Sequence, residues 1–150
     1  MRIQHVPMRI QHVGLVVADL ERSRRFYADA LGLEEVQRPP NFTFDGAWFR
    51  FGGTEIHLLA EAHTTGGAGQ PDPGPGAATG MTHHLAFEVD DVEAACERLA
   101  RHDVALEGGP MPRGDGFVQV FFLDPDGYVL ELFQWTGDDQ SNAPARAPVG

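Results

Sequence analysis

The sequence contains an internal repeat, and this repeat constrains the fold more than any other feature. One constant spacing separates three pairs of residues: His12 and His84, Asp19 and Asp91, and Glu21 and Glu93. Residues 53–58 match residues 127–132 at a spacing two residues longer, which pairs His57 with Glu131. A repeat of this length predicts two similar modules related by approximate twofold symmetry.

Both halves show the same predicted order of elements. A β-rich run is followed by a helix with an aspartate N-cap, and three further strand-like runs come after it, separated by turn-forming residues. The predicted strands are Ile10–Val17, Glu34–Gln37, Ala47–Phe51 and Glu55–Leu59, then Thr82–Val89, Val104–Glu107, Phe117–Leu123 and Tyr128–Phe133. The predicted fold class is α+β: two βαβββ modules whose helices cover the outside of a curved, mostly antiparallel sheet around a metal site.

The expected organisation is one domain over residues 8–135. Residues 8–60 form the first module, the Gly- and Pro-rich residues 61–81 form a linker or mobile loop, and residues 82–135 form the second module. The hexapeptide at residues 1–6 recurs at 8–13, so residues 1–7 are interpreted as a duplicated start or scar without ordered structure. Residues 136–150 are expected to be a disordered tail.

Charge and hydropathy limit the expected partners. The formal net charge of −11 would repel a phosphate backbone, which argues against a nucleic-acid partner. No run approaches the roughly 20 apolar residues that a membrane-spanning helix needs, and no leader segment is recognised. The expectation is a cytoplasmic protein that acts on a small molecule.

Four side chains at repeat-equivalent positions are candidate metal ligands. Because side chains alternate along a strand, each of them points away from the apolar face that the helices cover. They are His12, His57, His84 and Glu131. A lone His or Glu in a strand is more often a surface residue, but three imidazoles and one carboxylate at matching positions predict a single divalent metal site with positions open to substrate.

Five further residues are candidates for the substrate pocket. The aromatic candidates could line a cavity beside the ligands, and the arginines could contact an anionic substrate group, although solvated surface positions are the commoner role for arginine. These candidates are Arg38, Trp48, Arg50, Arg113 and Phe133.

Three segments resemble the vicinal oxygen chelate superfamily, which includes glyoxalase I, extradiol dioxygenases, fosfomycin-resistance enzymes and bleomycin-resistance proteins. The segments are HVGLVVADLERSRRFYADALGLE, HHLAFEVDDVEAACERL and FFLDPDGYVLELF, and the resemblance covers about residues 8–135. It implies that His12, His84 and Glu131 are the first, third and fourth ligands of one divalent ion, which would be Fe²⁺, Ni²⁺, Zn²⁺, Mn²⁺ or Co²⁺. It also implies a homodimer and a substrate that chelates the metal through vicinal oxygens.

The resemblance leaves the reaction open at the second ligand position. Bacterial glyoxalase I has a glutamate there, whereas this chain has His57, which is either a ligand or a proton shuttle. The first hypothesis is a glyoxalase-like isomerase or lyase. The alternatives are an extradiol-type Fe(II) dioxygenase that uses His12, His84 and Glu131, and a non-catalytic drug-binding protein, against which the retention of all four positions argues.

Overall fold

The computed structural model describes residues 4–70, 72–137 and 147–149, and it divides into unit 1 (Met1–Gly69) and unit 2 (Gln70–Gly150). Each unit contains a four-stranded mixed sheet and one main helix, which confirms the predicted α+β class with two βαβββ modules. The described strands form two separate sheets, where one curved sheet was predicted. Each unit therefore has its own sheet and its own core.

Unit 1 contains the first four strands. Its elements are β1 (His12–Val17), α1 (Leu20–Arg25) with a π-helical turn (Phe26–Ala30), β2 (Glu34–Val36), β3 (Gly46–Phe51) and β4 (Thr54–Ala60). The sheet order is β1-β4-β3-β2, in which β1 runs parallel to β4 and the other neighbours are antiparallel. The helix begins where the Asp19 carboxylate accepts a hydrogen bond from the backbone N–H of Arg22 at 3.1 Å.

The core of unit 1 lies between its helix and one face of its sheet. Tyr27 packs against Phe49 with ring centroids 6.0 Å apart, and Ile56 and Leu58 are fully buried beside them. These strand residues alternate with His57, which points to the other face. The apolar face thus fixes the direction of the polar face.

Unit 2 repeats this arrangement. Its elements are β5 (His84–Glu88), α2 (Val92–Arg101), β6 (Leu106–Pro112), β7 (Phe117–Leu123) and β8 (Val129–Trp135). The sheet order is β5-β8-β7-β6, again with the first pair parallel. The strand predicted near Val104–Glu107 begins and ends later, as β6. Its register against β7 shifts between Leu106 and Met111, which the short predicted strand did not anticipate.

The strand registers confirm the internal repeat. In unit 1, Gly14 pairs with His57 across the parallel β1–β4 ladder. In unit 2, Ala86 pairs with Glu131 across the parallel β5–β8 ladder. A small residue therefore lies opposite each of the inner-strand ligand candidates, and this leaves space above each sheet next to the candidate side chain.

The segment predicted as a linker, residues 61–81, contains local structure. It forms two short 3₁₀ helices, Glu61–His63 and Gly74–Ala78, and the division between the two units falls within it. Ala77 is 4% exposed and packs in a cluster with Phe121 and Val129. The segment therefore buries some apolar surface through Ala77.

The predicted unstructured ends lie partly outside the described residues. Residues 4–7 have no helix or strand, and residues 1–3 are outside the described part. Most of the predicted tail also lies outside the described residues, namely residues 138–146 and 150. Across the part of the chain that is described, no helix has the length and apolar character required to cross a bilayer.

Candidate metal centre

Two of the four predicted ligands lie together on one face of the unit 1 sheet. His12 pairs with Glu55, and Trp48 and Gly14 both pair with His57, so all five side-chain positions share this face. We call it the histidine face. The alternation that buries Ile56 and Leu58 beneath the helix is what exposes this polar face.

The imidazole of His57 lies in an aromatic stack. It is 3.8 Å from the Trp48 ring with an angle of 2° between the planes, and 4.3 Å from the His12 ring with an angle of 9°. Its side chain is 12% exposed. Stacking of this kind contributes about 0.5–1.5 kcal/mol per pair beyond the area buried, so it holds the His57 ring in one orientation.

Hydrogen bonds set which nitrogen each of these rings presents. His12 Nδ1 lies 2.7 Å from the Gln11 side-chain oxygen, to which it donates, and this leaves Nε2 as the lone-pair nitrogen. His57 Nε2 lies 2.9 Å from Glu55 Oε1 and donates to it, which leaves Nδ1 with the lone pair. The hydrogen bond from His57 holds the pKa of Glu55 below its usual range.

The stack determines how these two rings can bind a cation. A metal ion lies in the plane of an imidazole that binds it, at about 2.0–2.1 Å from the nitrogen. Two nearly parallel rings that overlap face to face cannot both point their in-plane lone pairs at one ion. At most one of these two rings can therefore bind a given ion while the stack persists.

The other two predicted ligands lie together in unit 2. His84 Nε2 is 3.2 Å from Glu131 Oε1, and Glu131 is 5% exposed. The second oxygen of Glu131, Oε2, is buried and has no hydrogen-bond partner among the described residues. Burial raises the pKa of the Glu131 carboxyl group above its usual range, against the opposing effects of His84 and Arg113.

The geometry of this pair fits a divalent cation. His84 Nδ1 donates to the Thr82 carbonyl oxygen at 2.8 Å, so Nε2 turns a lone pair towards the carboxylate unless it takes up a second proton. Two electron-rich atoms 3.2 Å apart need a positive charge between them, either a proton or a metal ion, and the buried Oε2 beside them accepts no hydrogen bond from the described residues. A metal ion bound by both groups would supply it, and nitrogen with carboxylate oxygen is a donor set that transition metals accept.

Arg113 is held beside this pair. Its guanidinium donates to Asp115 at 2.8–3.1 Å and lies over the rings of Phe117 and Phe133, 4.4 and 5.0 Å from their centroids. Its Nη1 is 3.8 Å from Glu131 Oε2, too long for a hydrogen bond. Arg113 therefore neutralises charge near Glu131 but leaves that oxygen without a donor.

The structure brings the four predicted ligands together as two pairs, one in each unit. Within the described ranges, no group of three or more His, Cys, Asp or Glu side chains is placed to hold a metal ion. That all four bind one cation stays a prediction.

The predicted pocket residues have different surroundings. Trp48 stacks on His57, and Phe133 lies edge-on to Phe117 at 5.3 Å. Arg50 is paired with Glu34 at 3.1 Å on the surface. Arg38 differs from the other candidates because its buried Nη1 has no partner in the described residues. Contact of any of them with substrate stays a prediction.

The sequence reasoning missed the groups that hold the histidines. These are the side chains of Gln11 and Glu55 and the carbonyl group of Thr82. A signal was present for Glu55, since it is two residues before His57 on a strand and hence on the same face. No local pattern marks Gln11 or Thr82.

Comparisons with known proteins agree with the fold. Residues 9–132 match the family model described as "Glyoxalase/Bleomycin resistance protein/Dioxygenase superfamily". A lactoylglutathione lyase of Neisseria meningitidis serogroup A is 34% identical over 140 residues, covering 91% of this chain and 97% of that protein.

Solved structures show the same architecture. A glyoxalase/dioxygenase from Nostoc punctiforme superposes with a TM-score of 0.71 at 28% identity, covering 91% of this chain and 100% of that one. TnmS3, an antibiotic binding protein from Streptomyces sp. CB03234, superposes with a TM-score of 0.65 at 26% identity, covering 87% and 98%. This chain therefore resembles proteins that are named as enzymes and also a protein that is named as an antibiotic binding protein.

Proposed function

Since the chain belongs to the glyoxalase/bleomycin resistance protein/dioxygenase superfamily, we propose that it is a divalent-metal-dependent lyase or isomerase of the glyoxalase type. Its substrate is a small molecule with two adjacent oxygen atoms. Lactoylglutathione is the first candidate, because relatives at 31–35% identity are named lactoylglutathione lyase.

The observation that carries the metal proposal is the pair of His84 and Glu131. A buried carboxylate oxygen without a hydrogen-bond partner costs about 1–3 kcal/mol or more, and the imidazole of His84 presents a lone pair or a proton to the other oxygen. In our proposal these two residues and His12 hold the cation. When bound, a divalent ion would polarise the two substrate oxygens and stabilise negative charge on them.

His57 is proposed to move the substrate proton. Glu55 fixes its Nε2–H and Trp48 fixes its ring plane, so Nδ1 is the nitrogen that can accept a proton. The ionised Glu55 carboxylate would stabilise the imidazolium that results. In bacterial glyoxalase I a glutamate is implicated in moving the substrate proton. In this proposal His57 takes that role, and the carboxylate of Glu55 acts through its hydrogen bond to His57.

The proposal is tested by separating metal binding from turnover. The variants are E131A, H57A and, as a matched control, H102A, which removes a histidine at the C-terminal end of α2. We expect E131A to lose bound metal and activity with lactoylglutathione, because it removes a ligand. H57A should keep stoichiometric metal and lose about 10²–10⁴-fold in kcat, the usual contribution of a general base.

H102A should match the unsubstituted protein in both measurements. Metal content is read by elemental analysis of freshly purified protein. The proposal fails if E131A retains full metal, or if H57A loses metal as completely as E131A does, which would make His57 a ligand.

The proposed ligand set also favours a second candidate reaction. His12, His84 and Glu131 are the two-histidine, one-carboxylate set of non-haem Fe(II) oxygenases. Reconstitution with Fe²⁺ followed by oxygen uptake with catechols would support an extradiol-type dioxygenase. Full lyase activity with redox-inert Zn²⁺ would show that the reaction measured is not a dioxygenase reaction.

A further inference from the structure

A line of aromatic rings connects the histidine face with a cationic side chain. Phe42 lies 5.2 Å from Trp48 and 5.6 Å from Phe44, measured between ring centroids. The Arg38 guanidinium carbon lies 5.2 Å from the Phe44 ring centroid. Since Trp48 stacks on His57, the line of contacts runs from the candidate base to Arg38 without a break within unit 1.

Arg38 lacks the partner that comparable arginines have. Arg24 and Arg113 each form an ion pair with a carboxylate, at 2.7–3.0 Å and 2.8 Å respectively. Arg38 Nη1 is buried and forms no hydrogen bond with any described residue. A buried guanidinium nitrogen without an acceptor lowers the stability of the folded state. Carboxylates are abundant in this chain, whose net charge is −11, yet none of the described carboxylates pairs with Arg38.

Arg38 also borders a cavity of about 330 Å³, large enough for part of a small ligand. Gly46 forms part of the wall, where a Cβ atom would lie 2.6 Å from the Leu58 carbonyl oxygen and 3.0 Å from Arg38 Nη1, so glycine allows both groups to approach closely. The one acidic residue in the wall is Glu35, whose two oxygens are occupied by Arg24 at 3.0 and 3.1 Å. The acceptor for Arg38 is therefore not supplied by the wall.

We propose that Arg38 binds an oxyanion of the ligand, a carboxylate in the first instance, while the apolar part of the ligand lies along Phe44, Phe42 and Trp48. The guanidinium fork suits a planar carboxylate, and the aromatic rings suit an apolar chain or ring. This inference deepens the proposed function by assigning an anionic substrate class. It rests on that function only in identifying the bound molecule as the substrate.

The test measures binding to the full-length protein after removal of metal by a chelator, so that it does not depend on the metal proposal. The probe is benzoate, with neutral benzamide of the same shape for comparison, and the signal is the indole N–H of Trp48 in NMR titrations. We expect saturable benzoate binding and at least ~10-fold weaker benzamide binding, about what one charge-assisted hydrogen bond contributes.

The variants separate Arg38 from general charge. R38M should weaken benzoate binding at least ~10-fold, and R38K should fall between R38M and the unsubstituted protein, because lysine keeps the charge without the fork. R101M removes the same charge from α2 in unit 2 and should bind benzoate within ~2-fold of the unsubstituted protein. Competition by inorganic phosphate would support an oxyanion site of wider specificity.

Two results overturn the inference. One is equal affinity for benzoate and benzamide, and the other is an equal loss in R38M and R101M. If R38M is unstable, R38K takes its place in the second comparison, and a loss of benzoate affinity in R38K no larger than that in R101M overturns the inference. If Arg38 does not bind benzoate but the protein binds metal, the inference about Arg38 fails and the proposed function is retained. If the protein binds benzoate through Arg38 but binds no metal, the proposed function fails and the inference about Arg38 is retained.

Discussion

At the scale of single residues, the chemistry depends on the partner of each imidazole. A neutral imidazole has one donor nitrogen and one lone pair, and the group that accepts from the donor decides which nitrogen faces the site. Gln11 performs this role for His12, Glu55 for His57, and the Thr82 carbonyl for His84. Three residues that are neither ligands nor bases therefore control what the site presents.

The role of Glu55 gives a prediction about the tautomer of His57. In the unsubstituted protein the Nε2–H tautomer should dominate, because Nε2 donates to Glu55 at 2.9 Å. E55A removes the acceptor, and we expect ¹⁵N chemical shifts of His57 to move towards a mixture of both tautomers. E55Q keeps an amide oxygen that can accept, so it should retain the Nε2–H form.

Both variants are measured without metal, so that coordination does not affect the shifts. Unchanged His57 shifts in E55A would show that the stack with Trp48, rather than Glu55, selects the tautomer.

At the scale of the elements, each unit positions its ligand candidates by means of a capped helix on an alternating strand. In unit 2, Asp91 accepts from the backbone N–H of Ala94 at 3.0 Å, and Gln134 of β8 accepts from that of Val92 at 2.9 Å. The helix then buries Val92 and Leu99 at its contact with the sheet. The side of β8 that faces α2 is thereby apolar, and Glu131 points to the opposite side.

The cap predicts a defined loss of stability. D91A should lower the free energy of unfolding by about 1 kcal/mol, the usual cost of losing an aspartate N-cap. The matched control is D90A, which removes the same charge from the adjacent exposed position. Urea denaturation at neutral pH measures both, and a loss in D90A as large as that in D91A would attribute the effect to charge alone.

At the scale of the whole molecule, the two units each carry one pair of candidate ligands. If both pairs serve one cation, the chain binds one metal ion, and removing a ligand from either unit abolishes binding. If each pair bound its own ion, removal from one unit would halve the metal content. The number of metal ions bound per chain therefore distinguishes one shared metal site from two separate sites.

We expect the unsubstituted protein to bind one divalent ion per chain, and H12A and E131A each to bind essentially none. Free metal at 100 times its dissociation constant should stabilise the unsubstituted protein by about 2.7 kcal/mol, because it binds only the folded state. Thermal unfolding with and without chelator measures this, and neither variant should show the shift. One bound ion per chain in either variant, half of the two ions that the unsubstituted protein would then bind, would refute the shared site. Sedimentation of the same samples tests the predicted homodimer.

Local rules acting on the sequence determined the modules and their faces. The repeat spacing predicted equivalent strands, alternation predicted that His57 and Glu131 point away from the apolar faces, and Asp19 and Asp91 predicted the helix starts. These rules hold because side-chain direction in a strand and capping at a helix end depend on residues only a few positions apart.

Only the tertiary structure decided how the site residues are held. The stack of Trp48 on His57 joins β3 to β4, and the hydrogen bond between Gln11 and Glu55 at 3.3 Å joins residues 44 apart in sequence. The unpaired nitrogen of Arg38 is likewise a property of what surrounds it. Rotamers and partners of this kind are set by neighbours across strands, and the identity of those neighbours is fixed by packing rather than by any pattern along the chain.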